Sequence, residues 1–259
     1  MSLVRVERAN GVARVVLCRS GMHNALVPEL LDELLAELTG LRSDPECRAV
    51  LLAAEGPAFS IGGDMRRFQR ERAALHVYSD GLVGRLNQAI LALIDLPQPV
   101  VAAVHGMVTG GSIGLVLAAD LIYLAPQVVF KAHYATAGFS PDGGWTALFG
   151  RVAGIHRAAA ALLLNRSVRA EEAVAWGLAN EVVAADQLQR TAAAAARRAA
   201  DHPAGTMRSA KRLLWGDRAL LAADLEAERR QFLALIAQPA AIQGVDAFLR
   251  DFSDYPSGD

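Results

Sequence analysis

The chain has only two cysteines, Cys18 and Cys47, no excess of charge of either sign, and no apolar run approaching the roughly 18–20 residues that span a membrane. Two cysteines exclude a disulfide framework and suit a reducing compartment. With 26 basic and 27 acidic residues the net charge is −1, so the electrostatic footprint required by nucleic acid or an anionic membrane is missing. No basic, apolar and cleavable leader pattern opens the sequence, and a cytoplasmic location is expected. No spacing of His, Cys, Asp and Glu suggests a metal, and no G-x-G-x-x-G opens a helix after a strand, so neither a metal nor a separate cofactor is expected. What these exclusions leave is a small-molecule partner, with neither nucleic acid nor membrane.

What is present is a core. At 259 residues and 53% hydrophobic composition, the chain can bury one large domain or a domain with a helical extension. Leu3 to Glu7 and Val12 to Leu17 alternate around Asn10-Gly11, which predicts a hairpin. Leu26 to Leu41 has helical periodicity, Ala49 to Ala54 reads as a buried strand, Arg66 to Leu96 as one or two helices, and Val100 to Val104 as another buried strand. Two short strands follow, Leu121 to Ala125 and Val128 to Ala132, and from Trp145 onward the pattern is almost wholly helical. The prediction is an α/β core of stacked, mostly parallel units, with Asp201-His202-Pro203 as the boundary to a helical part. There Thr206 to Ala237 and Ala240 to Phe252 read as amphipathic helices that need a surface, another subunit being one candidate.

Two glycine turns carry chemistry. In Val100 to Asp120 a β-branched run breaks at Gly110-Gly111 and resumes as an apolar helix, so Gly110 and Gly111 would present unpartnered N–H groups at a helix N-terminus. Upstream, Glu55 to Asp64 ends in Gly62-Gly63, and Gly63 could supply a second amide. Two amides converging on one oxygen would stabilise an enolate or a tetrahedral intermediate. Gly110-Gly111-Ser112-Ile113-Gly114 also fits G-x-S-x-G, the nucleophile elbow of serine hydrolases, with Asp142 and then His156 or His202 in the required order. His105 and His133 could line a site, but histidines near strand ends are commonly structural, and neither is assigned a role. Asp64 and Asp120 read as turn-fixing or capping residues.

Five stretches in order, His23-Asn24-Ala25-Leu26, Ala58 to Asp64, Val104 to Gly111, Pro141-Asp142-Gly143-Gly144 with Arg151 to Gly154, and Glu171 to Ala179, resemble the enoyl-CoA hydratase/isomerase, or crotonase, superfamily. The resemblance covers nearly the whole chain. It implies the ClpP/crotonase-like spiral of ββα units over residues 1–200, a helical lid and oligomerisation region over 201–259, and assembly as a homotrimer or a dimer of trimers. It further implies that Gly63 and Gly111 form an oxyanion hole for an acyl-CoA thioester, coenzyme A entering as part of the substrate. Met22, His23, Ala25, Ile61, Gly62, Asp64, Met65, Gly110, Gly114, Tyr134 and Phe248 would contact that substrate, and Arg66, Arg67 and Arg70 could meet its phosphates.

The catalytic side chains depart from the hydratase pattern. The two positions where hydratases carry water-holding glutamates read Gly114 and Tyr134, and neither can be a carboxylate base. One carboxylate remains, Asp142, at a position that related ring isomerases use as acid/base and 4-chlorobenzoyl-CoA dehalogenases use as nucleophile. Asn87 stands where those dehalogenases carry a histidine. The expected reaction is isomerisation of an enoyl-CoA or ring acyl-CoA with Asp142 moving the proton. A hydratase with non-standard residues, a thioester hydrolase or dehalogenase-like enzyme, a CoA binder without catalysis, and an Asp142 that only caps a helix starting near Gly143 stand as the alternatives.

Overall fold

The computed structural model describes residues 2–251. Asn10 and Gly11 both take left-handed backbone, φ 52° and 75°, and join β1 (Val4–Ala9) to β2 (Val12–Leu17) as an antiparallel hairpin. α1 (Pro28–Ser43) turns Leu30, Leu31, Leu34, Leu38 and Leu41 inward at helical spacing. β3 (Ala49–Ala54) is buried at every residue, as a parallel strand covered on both faces must be. The segment to Asp95 divides into α2 (Met65–Arg70) and α3 (Leu75–Asp95), and the wholly buried β4 (Val100–Val104) follows.

After β4 the chain departs from the expected strand-to-helix junction. Gly106, at φ 61°, turns so close to the preceding loop that a Cβ there would lie 2.2 Å from the Pro57 carbonyl oxygen. It sends the chain into β5 (Met107–Thr109), and only then come one 3-10 turn over Gly110–Ser112 and the five-residue α4 (Ile113–Leu117). So short a helix sums few peptide dipoles, and local N–H groups rather than a long macrodipole carry whatever positive potential the turn presents.

β6 (Leu121–Leu124) and β7 (Val129–Lys131) fall where the two short strands are expected, but in different sheets. The larger sheet has the order β1-β2-β3-β4-β6-β9, with β9 at Glu181–Val182 and parallel pairing from β2 onward. The smaller sheet is β5-β7-β8, with β8 at Val168–Arg169 antiparallel to β7. The chain thus visits the large sheet, the small sheet and a helix in turn: β4, β5 and α4, then β6, β7 and α5 (Tyr134–Ala137). That recurrence is the spiral of ββα units. β8 and β9, each two residues long, interrupt a stretch that reads as helical, because two residues are too few to show a period.

The rest is helix: α6 (Gly150–Ala153), α7 (Ile155–Leu163), α8 (Ala170–Ala175), α9 (Leu188–Asp201), α10 (Ala204–Trp215), α11 (Arg218–Ile236) and α12 (Pro239–Asp251). The break at Asp201–Pro203 lies where expected, between α9 and α10. The single helix expected from Thr206 to Ala237 is two, because Gly216 takes φ 60° and Asp217 caps α11 by accepting from the amides of Ala219 (2.9 Å) and Leu220 (3.1 Å). Phe252, the expected end of the last helix, lies outside the described residues. α11 packs on α3, and α12 on α2 and α5, so both amphipathic helices find a surface within the chain.

α10 is fastened by a buried cation. Lys211, 5% exposed, donates from Nζ to the carbonyls of Leu93 (2.9 Å) and Gln98 (3.1 Å) and pairs with Asp120 at 3.0 Å. Asp120 also accepts from the amide of Val100 (2.7 Å) and the indole of Trp215 (2.7 Å), tying the start of β4 to α10. Burial pushes the Lys211 pKa down, and Asp120 opposes that shift. Lys211→Ala leaves the largely buried Asp120 carboxylate without its cation and the Leu93 and Gln98 carbonyls without their donor, and the expected loss of folding stability is about 2–4 kcal/mol. Chemical denaturation with an unchanged slope and a midpoint near wild type would contradict this.

Candidate active site

Three turns meet backbone against backbone. The first is held from below by residues 22–26, where His23 and Asn24 take left-handed φ of 47° and 53°. The Asn24 carboxamide donates to the carbonyls of Glu55 (2.7 Å) and Ala58 (3.0 Å), and the Ser60 hydroxyl donates back to the Asn24 carbonyl at 2.7 Å. Leu26 then bridges Gly63: its amide donates to Gly62 O (2.7 Å) and its carbonyl accepts from Asp64 N (3.1 Å). Gly62, at φ 76°, lies so near the second turn that a Cβ would stand 2.6 Å from Thr109 O and 3.3 Å from Gly110 Cα. The third turn closes on the second, since a Cβ on Gly143 (φ 62°) would lie 2.4 Å from both Gly111 Cα and Gly111 O. Only glycine permits these contacts.

Between these turns and the C-terminal helices lies a cleft of about 590 Å³, part of it open to solvent. Ile61, Gly63, Met65, Gly110, Gly111, Tyr134, Asp142 and Phe248, all expected at the site, line it together. Met22, His23, Ala25, Gly62, Asp64 and Gly114 do not line it. Met22 to Ala25 form the support beneath the first turn, and Gly62 makes its contact with the second. Asp64, fully buried, caps α2 by accepting from Arg67 N (3.1 Å) and pairs with Arg19 at 2.7 Å, which is a structural role. Gly114 lies behind the second turn, where a Cβ would stand 2.2 Å from Gly143 O and 2.4 Å from Ile90 Cδ1.

Asp142 is the single carboxylate among the described lining residues. It does not cap a helix. The π-helical turn that follows (Trp145–Phe149) is instead capped by Glu228 of α11, which accepts from the amides of Gly144 (2.7 Å), Thr146 (2.6 Å) and Ala147 (2.8 Å). The Asp142 carboxyl is turned toward Gly111, where Oδ1 would be 3.0 Å from a Cβ, and receives the hydroxyl of Tyr134. Burial raises its pKa to about 7; the Tyr134 hydrogen bond pulls it down and the nearby Glu228 carboxylate pushes it up. Burial and the Asp142 charge hold the Tyr134 phenol well above the usual tyrosine range, so it remains a donor. A carboxyl poised near neutrality beside two glycine turns can both take and return a proton.

The rest of the cleft is apolar and aromatic. Phe68 and Phe139 lie 5.8 Å apart between ring centroids, Phe139 and Phe232 5.4 Å, and Phe248 meets His133 edge to face at 5.4 Å. Burial lowers the His133 pKa to about 4, which leaves its imidazole neutral at pH 7. Phe139, Phe232, Leu82 and Leu86 were not singled out from the sequence, because they reach the cleft only through tertiary packing; His133, which could line a site, does line it. Ser112 is fully buried and absent from the cleft lining, and its hydroxyl lies in hydrogen-bond contact with the carbonyls of Thr109 (2.7 Å) and Ser60 (3.1 Å). Asn87 also stands outside the cleft, donating to Leu225 O at 3.1 Å. Arg67 pairs with Glu71 (2.9 Å) and Glu29 (3.6 Å), and Arg70 is exposed.

The sequence model of enoyl-CoA hydratase/isomerase matches residues 7–253. The chain belongs to this family. It is similar to 4-chlorobenzoyl coenzyme A dehalogenase-2 of Arthrobacter sp. (29% identity; 91% of this chain, 86% of that one) and to trans-2-decenoyl-[acyl-carrier-protein] isomerase of Streptococcus mutans (28%; 80% and 79%). It is also similar to a probable enoyl-CoA hydratase of Mycobacterium tuberculosis (33%; 88% and 86%). The crystal structure of an enoyl-CoA hydratase from Bacillus halodurans superposes with a TM-score of 0.89 over 95% of this chain and all of that one; at 23% identity it bears on the fold alone. The fold is the crotonase fold, and the family acts on acyl-CoA thioesters.

Tyr134→Phe removes the one hydrogen bond from a side chain to Asp142 and leaves the burial intact. The pKa of Asp142 should therefore rise above about 7, by roughly one pH unit, so that the carboxylate forms only at higher pH. Carbon-13 NMR of the aspartate carboxyls, compared with Asp142→Asn to assign the signal, reads that midpoint directly. A midpoint that stays put or falls would mean that Tyr134 does not stabilise the ionised form.

Proposed function

We propose that this protein isomerises an enoyl-CoA or a related ring acyl-CoA by moving one proton through Asp142. The observation that carries the reading is the lone carboxylate of the cleft, poised near neutral pH and packed on Gly111. The thioester oxygen would accept from the amides of Gly63 and Gly111, which polarises the carbonyl and acidifies the adjacent carbon. Ionised Asp142 removes a proton α or γ to that carbonyl, and the two amides hold the negative charge that builds on the oxygen. The same carboxyl then returns the proton to another carbon, so the double bond moves and nothing is oxidised, added or lost. Each donor of such a hole is worth about 10²–10³ in rate.

Hydration is the weaker reading, because water needs a second group to hold it and Gly114 leaves no room for one. A dehalogenase-like course would use Asp142 as a nucleophile, and Asn87, turned to Leu225 O, offers no base for the hydrolytic half. Serine hydrolysis is opposed by the hydrogen bonds that occupy Ser112. Assembly as a homotrimer or dimer of trimers belongs to the same proposal; the outward-facing Ile155, Leu163, Leu164, Leu213 and Leu214, each more than 70% exposed, support it.

Asp142→Asn keeps the size of the side chain and removes the base. In D2O, deuterium incorporation into a 3-enoyl-CoA should fall by about 10²–10⁴, while the near-ultraviolet circular dichroism stays that of the wild type. Wild-type protein should hydrate crotonyl-CoA very poorly. Gly114→Glu with Tyr134→Glu should not restore hydration, since a side chain at 114 displaces the Gly143 backbone. Robust crotonyl-CoA hydration by wild type, indifferent to Asp142→Asn, would overturn the assignment.

A further inference from the structure

Glu228 is a buried carboxylate that the proton transfer does not use. It is 5% exposed and projects from α11 into the segment that directly follows Asp142. Four donors converge on it: the amides of Gly144, Thr146 and Ala147 at 2.7, 2.6 and 2.8 Å, and the Thr146 hydroxyl at 2.5 Å. Three of these groups are backbone amides that can only donate, and the Thr146 hydroxyl donates as well, so the cradle suits a carboxylate. The segment so gripped includes the two left-handed glycines, Gly143 and Gly144 (φ 62° and 95°), and Gly143 is the residue packed on Gly111. One turn further along the same helix face, Phe232 lines the cleft. A single helix therefore holds both the Asp142 loop and a wall of the substrate cleft.

We propose that Glu228 is a positioning residue of this enzyme: by accepting four hydrogen bonds it clamps the Asp142 loop against the Gly111 turn, and it places a fixed negative charge beside Asp142. The groups that face Asp142 are the Tyr134 phenol from α5, which favours the carboxylate, and Glu228 from α11, which opposes it. Around Glu228 the other charges are paired with one another: Arg151 with Asp224 at 2.7 Å on the outer side, and Arg229 with Glu226 at 2.7 Å and with Asp80 of α3. Burial raises the Glu228 pKa above the usual carboxylate value, and its four donors pull against that rise without cancelling it. Its neighbours are neutralised pairwise, while Glu228 itself makes no ion pair with a cation among the described residues.

The proposal rests on reading Asp142 as the acid/base, but its first test needs no substrate. In Glu228→Gln the carboxyl of Asp142, read by carbon-13 NMR, should titrate about one pH unit lower than in wild type. A purely structural Glu228 would lower thermal stability without moving that midpoint, and an unmoved midpoint in folded Glu228→Gln overturns the charge role. If Glu228→Gln does not fold, wild type labelled at the glutamate carboxyls decides: Glu228 must already be ionised where Asp142 titrates, and a protonated Glu228 across that range overturns the proposal. For the clamp, Glu228→Asp keeps the charge but falls one methylene short of the loop. Deuterium incorporation into a 3-enoyl-CoA should drop at least tenfold in kcat with KM little changed, and a wild-type kcat would refute the clamp. Loss of exchange in Asp142→Asn with wild-type behaviour in both Glu228 variants would defeat this proposal alone, whereas exchange that survives Asp142→Asn would defeat the isomerase reading instead.

Discussion

Side chains are excluded from the two places where the turns of this protein touch, and that exclusion is the constraint on which the site depends. Where Gly62 meets Thr109 O and where Gly143 meets Gly111, a single methyl group would intrude to 2.6 and 2.4 Å of backbone atoms. Backbone in direct contact can be positioned to within a few tenths of an ångström, because no flexible side chain intervenes. Gly63, Gly111 and Asp142 come from three separate stretches of chain, yet their relative placement is set by these contacts. Substitution at any of the meeting glycines moves all three together, and this is why preorganised amides belong on such turns rather than on mobile loops.

The second layer of control is electrostatic. Asp142 sits in a cleft walled by Phe68, Phe139, Phe232 and Phe248, which disfavours its charge, while Tyr134 supplies one hydrogen bond that favours it. Burial is the larger effect and the outcome is a pKa of about 7. A carboxylate at its ordinary value would be a permanently ionised, weak base, and one buried without Tyr134 would be mostly protonated at pH 7. Neither could work in both directions at neutral pH. With a phenol at Tyr134, Asp142 is the one carboxyl among the described cleft residues, and no second acid competes with it for a proton there.

How much of this was legible in the sequence follows from the range over which each signal acts. The hairpin at Asn10-Gly11, the buried strands Ala49–Ala54 and Val100–Val104 and the break at Asp201–Pro203 are local, and each lies where its own residues put it. Gly63 and Gly111 were readable because glycine turns stand out against an apolar background, and Asp142 was picked out by the family resemblance of its Pro-Asp-Gly-Gly stretch. The strand β5 was hidden because Gly106 reads as part of one long glycine turn, and β8 and β9 because two residues carry no period. Glu228 was hidden for another reason. Within α11 it looks like any charged residue of an amphipathic helix, and its partners lie more than 80 residues away. Likewise Asp142 before Gly143-Gly144 has the look of a helix cap, and only the packing of α11 shows that the cap comes from elsewhere.

The same burial that tunes Asp142 weighs on the fold. Its carboxyl ionises near 3.8 when exposed and near 7 in the folded chain, so between those values the folded protein holds a proton that the unfolded chain has released. Asp142 therefore contributes its stability in full below the lower value, and that contribution is lost as pH rises through the upper one. At pH 8 the folded chain carries a buried charge worth roughly 4 kcal/mol of instability relative to acid conditions. An apolar residue there would remove the cost and, with it, the one carboxyl among the described cleft residues. The Glu228 charge adds to that cost, while the hydrogen bonds of its cradle and the glycine contacts beneath Gly111 fix the loop from both sides, so a tightly held backbone carries a side chain whose ionised form the site disfavours.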